Sequence, residues 1–248
     1  MKITIKLLLI IFLFVTCSKD ENRRITIIPD SNFEQSLIDL GIDNDGTINQ
    51  QVFTSRISTI DSLDVNSKNI SDLTGIEDFT SLTYLSCWDN PLTSLDVSEN
   101  TSLTHLSCSY NQLTSLDVSN NKSLEWLNCW ENQLTNLDVS NNKSLTTLIC
   151  GSNRLTSLDV SYNQSLVFLF CVSNQLTSLD VSDNTSLIEL HCYLNQLTSL
   201  DLSNSENLIK LYCKWNPLTC IKVNQSQLDN IPTSWEKDPE DSYSLDCN

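Results

Sequence analysis

The sequence is poor in the residues that punctuate ordinary globular chains, with 4 Gly, 5 Pro and 1 Met among 248 residues. Loops of a globule draw heavily on Gly and Pro. Their scarcity excludes a fold made of many unrelated turns and favours one turn chemistry used repeatedly, built on Asn, Asp and Ser. Basic side chains are few as well, 14 Lys and Arg against 31 Asp and Glu, for a formal net charge of −17. That balance argues against a nucleic-acid partner, because phosphate binding needs a basic footprint. It also argues against adsorption of the protein body onto an anionic membrane. The chain has 2 histidines, His105 and His191, and no Gly-rich loop to cradle a phosphate.

What is abundant is repetition. Cys87, Cys108, Cys129, Cys150, Cys171, Cys192 and Cys213 fall at a fixed step of 21 residues, and Asn90, Asn111, Asn132, Asn153, Asn174, Asn195 and Asn216 keep the same step. In Leu103-Thr-His-Leu-Ser-Cys-Ser-Tyr-Asn-Gln-Leu113 the apolar residues Leu106 and Cys108 alternate with polar ones. This predicts a short strand with one face inward. Stacked neighbours about 4.8 Å apart would pair their backbones and share one core, giving a parallel sheet roughly 30–35 Å long. The Asn side chains are expected to satisfy backbone groups where each coil leaves its strand. The following Leu-Asp-Val-Ser also alternates and predicts an opposite, convex wall of short extended and turn segments. The pattern resembles the leucine-rich repeat, with Cys in the third Leu place, from residue 82 to 218 without a gap. The resemblance implies a leucine-rich-repeat solenoid with a curved parallel β-sheet on its concave face.

The ends read differently. Residues 1–16 have the form of a signal segment: Lys2 and Lys6, then the apolar run Leu7 to Val15, too short to span a bilayer. With Cys17 and the Ser18-Lys19-Asp20-Glu21 that follows, this resembles a bacterial lipoprotein signal and surface-export sequence, although Phe14 stands where such signals usually carry Leu. The alternative is an ordinary secretory peptide in which Cys17 is incidental. The resemblance as a whole is to bacterial leucine-rich-repeat surface lipoproteins of the flavobacterial and Bacteroidetes type. It implies lipidation at Cys17, membrane attachment only through that lipid, and an outer-membrane, surface-exposed location. The expected organisation is a signal (1–16), a tether (17–26), an N-terminal cap (27–62), the repeat array with a divergent first repeat (63–219) and a C-terminal cap (220–248).

In the N-terminal cap, Ser31 and Glu34 stand at capping-box spacing and Gly41 is a stop, predicting a helix that turns Phe33, Leu37 and Leu40 inward. Leu63, Val65, Ile70, Leu73 and Ile76 are expected to point inward in the opening repeat. Cys220 and Cys247 lie off the 21-residue grid, and an oxidising compartment permits them to close the C-terminal cap as a disulfide.

Chemistry is expected to be absent from the repeats. Cysteines in a file do not converge on one point as tetrahedral metal ligands must, so they read as buried thiols acting as small hydrophobes. Asp96, Asp117, Asp138, Asp159, Asp180 and Asp201 form another file. It either bridges calcium between coils or, as favoured here, accepts hydrogen bonds from Ser, Thr and backbone groups. Asp43-Asn-Asp45-Gly46 resembles part of a calcium loop, yet Val52 stands where the closing Glu would fall. No metal, cofactor or catalytic residue is predicted, and the chain does not read as an enzyme.

The outward strand positions are the variable ones. They carry Tyr84, Trp88, His105, Trp126, Asn128, Trp130, Phe168, Phe170, Glu189, His191, Tyr193 and Tyr212, with Trp215 at the strand edge. Contiguous exposed aromatics usually mark an interaction site, and Tyr and Trp often carry interface energy. These residues are the candidate ligand-binding set, for a protein or a carbohydrate. Bacterial surface proteins with this repeat commonly act as adhesins or receptors, so the resemblance implies the same role. The alternative is a passive envelope or matrix protein whose aromatics merely suit strand positions.

Overall fold

The computed structural model describes residues 24–247, so Cys17 and the signal segment lie outside the described residues. Within them the chain is a leucine-rich-repeat solenoid. Its concave wall is one parallel sheet formed by β3 (Ser62–Asp64), β4 (Tyr84–Ser86), β5 (His105–Ser107), β6 (Trp126–Asn128), β7 (Thr147–Ile149), β8 (Phe168–Phe170), β9 (Glu189–His191), β11 (Lys210–Tyr212) and β13 (Trp235–Glu236). The register puts Leu against Leu from Leu63 through Leu211, and Trp235 completes the row. The expected opening repeat is there as β3, with Leu63, Val65, Ile70, Leu73 and Ile76 all buried. The last strand, β13, comes from the C-terminal cap, off the 21-residue grid, and was not foreseen.

Each coil holds two inward columns on the sheet side, Leu85 to Leu211 and Cys87 to Cys213, both fully buried. The convex wall supplies the facing columns, Leu95 to Leu200 and Val97 to Leu202, also buried. Regular pairing on that side is sparse: a lone bridge joins Asp96 to Asp117, and three parallel strands, β10 (Leu200–Asp201), β12 (Cys220–Lys222) and β14 (Ser242–Ser244), run into the C-terminal end.

The coils turn on two files of asparagine. In the expected file, Asn132 donates from Nδ2 to Cys108 O (3.0 Å) and Cys129 O (3.2 Å), while its Oδ1 accepts from Leu113 N (2.9 Å). A second file, Asn100, Asn121, Asn142, Asn163 and Asn184, is completely buried on the convex side. Asn142, for example, donates to Val118 O and Asn121 O, both at 2.9 Å. Beyond Ser205, Gln227 takes over the role, donating to Leu202 O and Ser205 O. A left-handed residue that is not glycine recurs at the same place in each coil, at Ser67, Asp89, Tyr110, Glu131, Ser152, Ser173, Leu194 and Trp215; the opening coil adds Asn69 and Gly75.

The N-terminal cap comprises β1 (Ile25–Ile27), antiparallel to β2 (Gln51–Phe53), with α1 (Ser31–Asp39) between them and the short α2 (Thr54–Ile57) after. Two expectations about α1 need correction. Its N-cap is Asp30, not Ser31: Asp30 Oδ1 accepts from Asn32 N and Phe33 N, and its Oδ2 accepts from Ser71 N at 2.8 Å, tying the helix to the opening coil. Glu34 forms no capping box but is buried, accepting from Asn49, Gln50 and Gln51 N. Phe33 and Leu37 are fully buried as expected, whereas Leu40 is the exposed C-cap because the helix ends there. At the other end α3 (Gln225–Asp229) carries a true capping box from Asn224 and Gln227, and the Cys220–Cys247 disulfide closes the cap.

Candidate functional site

The strand centre in each coil is anchored inward by Leu and Cys, so the residues between must face out. This places the predicted set on the concave wall, in two aromatic groups. In the first, Tyr84, His105 and Trp126 occupy one column, at centroid separations of 6.2 and 6.4 Å. Tyr84 and Trp88 are among the exposed large hydrophobics, about two-fifths open to solvent (40% and 39%). Trp130 leans over Gly151, and its ring occupies the space a Cβ would need there. Asn128 faces its own backbone, accepting from Trp130 N at 3.0 Å, which fixes the approach of that tryptophan.

The second group centres on His191. Phe170 and Tyr212 meet its ring edge to face, each at 4.4 Å between centroids. Phe168 lies 6.4 Å from Phe170, Tyr193 lies 6.4 Å from His191, and Trp215 stands edge-on to Tyr193 at 6.0 Å. Burial pushes the His191 pKa below its usual value, against the opposing effect of Glu189. Its Nε2 lies 2.7 Å from Glu189 Oε1, and Lys210 Nζ donates to the other oxygen at 3.2 Å. A carboxylate only accepts, so Nε2 carries the ring proton. His191, Tyr193, Tyr212, Lys214, Trp215 and Glu236 line an apolar cavity of 280 Å³, whose Lys214 and Glu236 pair at 2.7 Å.

Sequence reading missed Glu236, because β13 is off the repeat grid, and placed Trp215 only at the edge. It is 61% exposed in a left-handed turn at the end of the wall. Several outward positions outside the candidate set are covered: Ser86, Ser107, Ser109, Gly151 and Val172 are buried. Small side chains on a concave sheet are overhung by larger neighbours. His105 and His191 sit on β5 and β9, four strands apart, or about 19 Å at normal strand spacing. They do not share a reacting atom.

The thiol file is chemically quiet. Burial raises the pKa of Cys87, Cys129 and Cys171 to about 12, and pushes Cys108, Cys150 and Cys192 well above the ordinary thiol value. Among the described residues no group of three or more His, Cys, Asp or Glu is placed to hold a metal ion. On the convex wall, Asp96, Asp117, Asp138, Asp159, Asp180 and Asp201 each accept from the backbone N of the Ser two residues on, at 2.9 Å. This is the hydrogen-bonding alternative expected for that file.

No protein-family model matches the chain. Over 45 residues, 18% of this chain and 5% of the relative, it is 47% identical to internalin J of Listeria monocytogenes. The functional domain of InlJ from Listeria monocytogenes, which includes a cysteine ladder, superposes with a TM-score of 0.77 at 37% identity, over 90% of this chain and 48% of that one. The chain thus spans less than half of that domain. Internalin C2 of Listeria monocytogenes shares the fold, with a TM-score of 0.75 at 21% identity over 86% of this chain and 95% of that one. So does the ectodomain of the Arabidopsis thaliana receptor kinase GASSHO1/SCHENGEN3, solved in complex with Casparian strip integrity factor 2 (TM-score 0.54, 22% identity, 62% and 22% covered). The chain is a leucine-rich-repeat solenoid with a file of seven stacked cysteines, similar over most of its length to part of the functional domain of InlJ.

Proposed function

We propose that the chain is a surface-tethered binding module, anchored by a lipid on Cys17, that engages a protein or glycan along its concave wall. The observation that carries this is the distribution of rings. Tyr84, Trp88, His105, Trp126 and Trp130 on one half, and Phe168, Phe170, His191, Tyr193 and Tyr212 on the other, share the concave face, Tyr84 and Trp88 exposed and the rest half-buried, while the convex wall is mostly Ser, Asp and Asn with Tyr162 as an exposed ring. Exposed aromatics cost solubility and supply contact area with little side-chain entropy to lose on binding. The plant ectodomain, solved with a partner bound, supports protein recognition on this kind of scaffold. The reading is one of binding rather than catalysis.

The test is a combined Trp126→Ala and Trp130→Ala variant, assayed by glycan array and by pull-down from extracts. Loss of capture with an unchanged circular dichroism spectrum is expected; retained capture would remove the concave wall from the function. A passive envelope or matrix role has one observation in its favour. The edge-to-face packing of Phe170, His191 and Tyr212 satisfies those rings without a ligand. That role predicts that the double substitution changes neither capture nor attachment.

A further inference from the structure

We propose that the outer side of the N-terminal cap rests on the bilayer, which covers the apolar face formed by Ile25, Ile27 and Phe53. The proposal rests on the lipid anchor at Cys17 in the reading above.

The face is built by strand alternation. Ile25 lies opposite Phe53 in the antiparallel pair, with Thr26 opposite Val52 and Ile27 opposite Gln51. Thr26 and Val52 are buried against the cap, so their neighbours Ile25, Ile27 and Phe53 are directed outward together, each about half exposed (45%, 57% and 48%). Ile48, in the segment leading into β2, and Leu40, at the end of α1, are exposed too. A solenoid cap needs only its inner side apolar; its outer side is ordinarily polar. The C-terminal cap meets that expectation, with Leu245 as the single exposed large hydrophobic from 220 to 247. Two caps with the same covering task therefore differ on the side that faces away from the core.

The position of the anchor accounts for the difference. Eight residues lead from Cys17 to Ile25, and even fully extended they reach at most about 29 Å. A lipid at Cys17 thus holds this end, and no other, within reach of the headgroups. The three outward side chains carry no charge, the Asp45 carboxylate lies at the edge of the face beside Ile25 and Phe53, and the nearby Arg24 is engaged with Asp78 at 2.9 Å. The cap shares the acidic character of the whole chain, with Arg24 and Arg56 against Asp30, Glu34, Asp39, Asp43, Asp45 and Asp61, so the apolar side chains and the anchor, not charge, must hold it at the membrane. Shallow burial of such side chains at the acyl boundary is the ordinary way an apolar face meets a membrane, and it supplies the second hold that a lipid anchor often uses. The concave wall would then stand away from the membrane.

Site-directed spin labelling of the full lipidated protein in phosphatidylethanolamine–phosphatidylglycerol vesicles tests this. The file thiols are buried and resist labelling, so a nitroxide introduced through Ile27→Cys reports alone; Tyr162→Cys, on an exposed side chain of the repeat array, is the control. The expected result is Ile27→Cys open to oxygen and closed to a nickel chelate, with the reverse at Tyr162→Cys. Equal nickel access at both sites overturns the proposal. Spin–spin coupling at Ile27→Cys without oxygen access also overturns it, because a second copy then covers the face. Phe53→Cys repeats the measurement should Ile27→Cys fold poorly. Mass spectrometry of the N-terminal peptide separates the two failures: a lipid on Cys17 with an aqueous probe sinks the docking alone, and an unmodified Cys17 sinks the anchor and the docking together.

Discussion

Along the outer wall the coils repeat almost the same residues, Leu-Asp-Val-Ser from Leu95 to Ser182, whereas along the inner wall no two coils present the same outward side chains. Both walls bury their alternate positions, fully on the concave side and all but a few per cent in the Leu95-to-Leu179 column of the convex side. The difference therefore lies in what the outward positions have to do. On the convex side each Asp holds the Ser backbone two residues on, and each buried Asn holds the coil before it, so the same residue works in every coil. On the concave side the backbone is already paired by the sheet, so no one outward side chain has to recur in every coil, and those positions can differ even where, as at Asn128 and Trp130, they also pack locally.

That division is open to attack from several directions. The largest effect is expected from alkali. The file thiols keep their protons in the folded protein to about 12 for Cys87, Cys129 and Cys171, whereas unfolded thiols ionise near the ordinary value of 9.0. The unfolded state then binds fewer protons, so stability is intact below pH 9 and falls as pH rises towards 12. Each thiol contributes a slope of up to about 1.4 kcal/mol per pH unit. Urea midpoints should drop steeply over that window, and Cys129→Ala should make the drop shallower; an identical slope in the variant would place the thiols outside the shared core.

Next in size is Asn142→Ala, on the repetitive wall. It strands the Val118 and Asn121 carbonyls in a dry interior, at a cost on the order of 3 kcal/mol read from chemical denaturation. A loss below 1 kcal/mol, on the same principle, would show that the convex file is dispensable. On the variable wall, Gly151→Val forces the Trp130 ring off its seat. About 1–3 kcal/mol and a shift in tryptophan emission are expected, and unchanged emission would contradict the packing. The smallest effect belongs to Asp138→Ala. Its carboxylate is solvent-exposed, so about 0.5 kcal/mol is expected in the same unfolding assay, and a larger loss would give the Asp file a role beyond holding Ser140.

The repeat was legible because its physics is periodic: a step of 21 residues tells which side chains face in, and Cys108 or Leu106 can be placed without coordinates. The caps were less so, because a single helix offers neighbouring candidates. Ser31 and Asp30 both have capping oxygens, and only the second carboxylate oxygen of Asp30, reaching Ser71, decides between them. The convex asparagines escaped notice for a related reason. Asn121 follows Asn120, and Asn142 follows Asn141, in runs that read as wet turns, and nothing local reveals that one of each pair is sealed inside. On the candidate wall, the outward direction of Trp126 or Tyr212 followed from strand alternation, but the cavity beside Trp215 did not. It needs Glu236, brought in by a strand with no counterpart in the repeat.

Glycine is scarce even though every coil passes through a left-handed turn where it would fit most easily. Glycine would relax each of those turns by roughly 1 kcal/mol, and the chain forgoes it eight times, from Ser67 to Trp215. What it gains is a side chain at the lip of each coil, a functional group at every one but Leu194. Hydroxyl, carboxylate, phenol and indole stand in single file along one border, each able to be exchanged for another without touching the core beneath it.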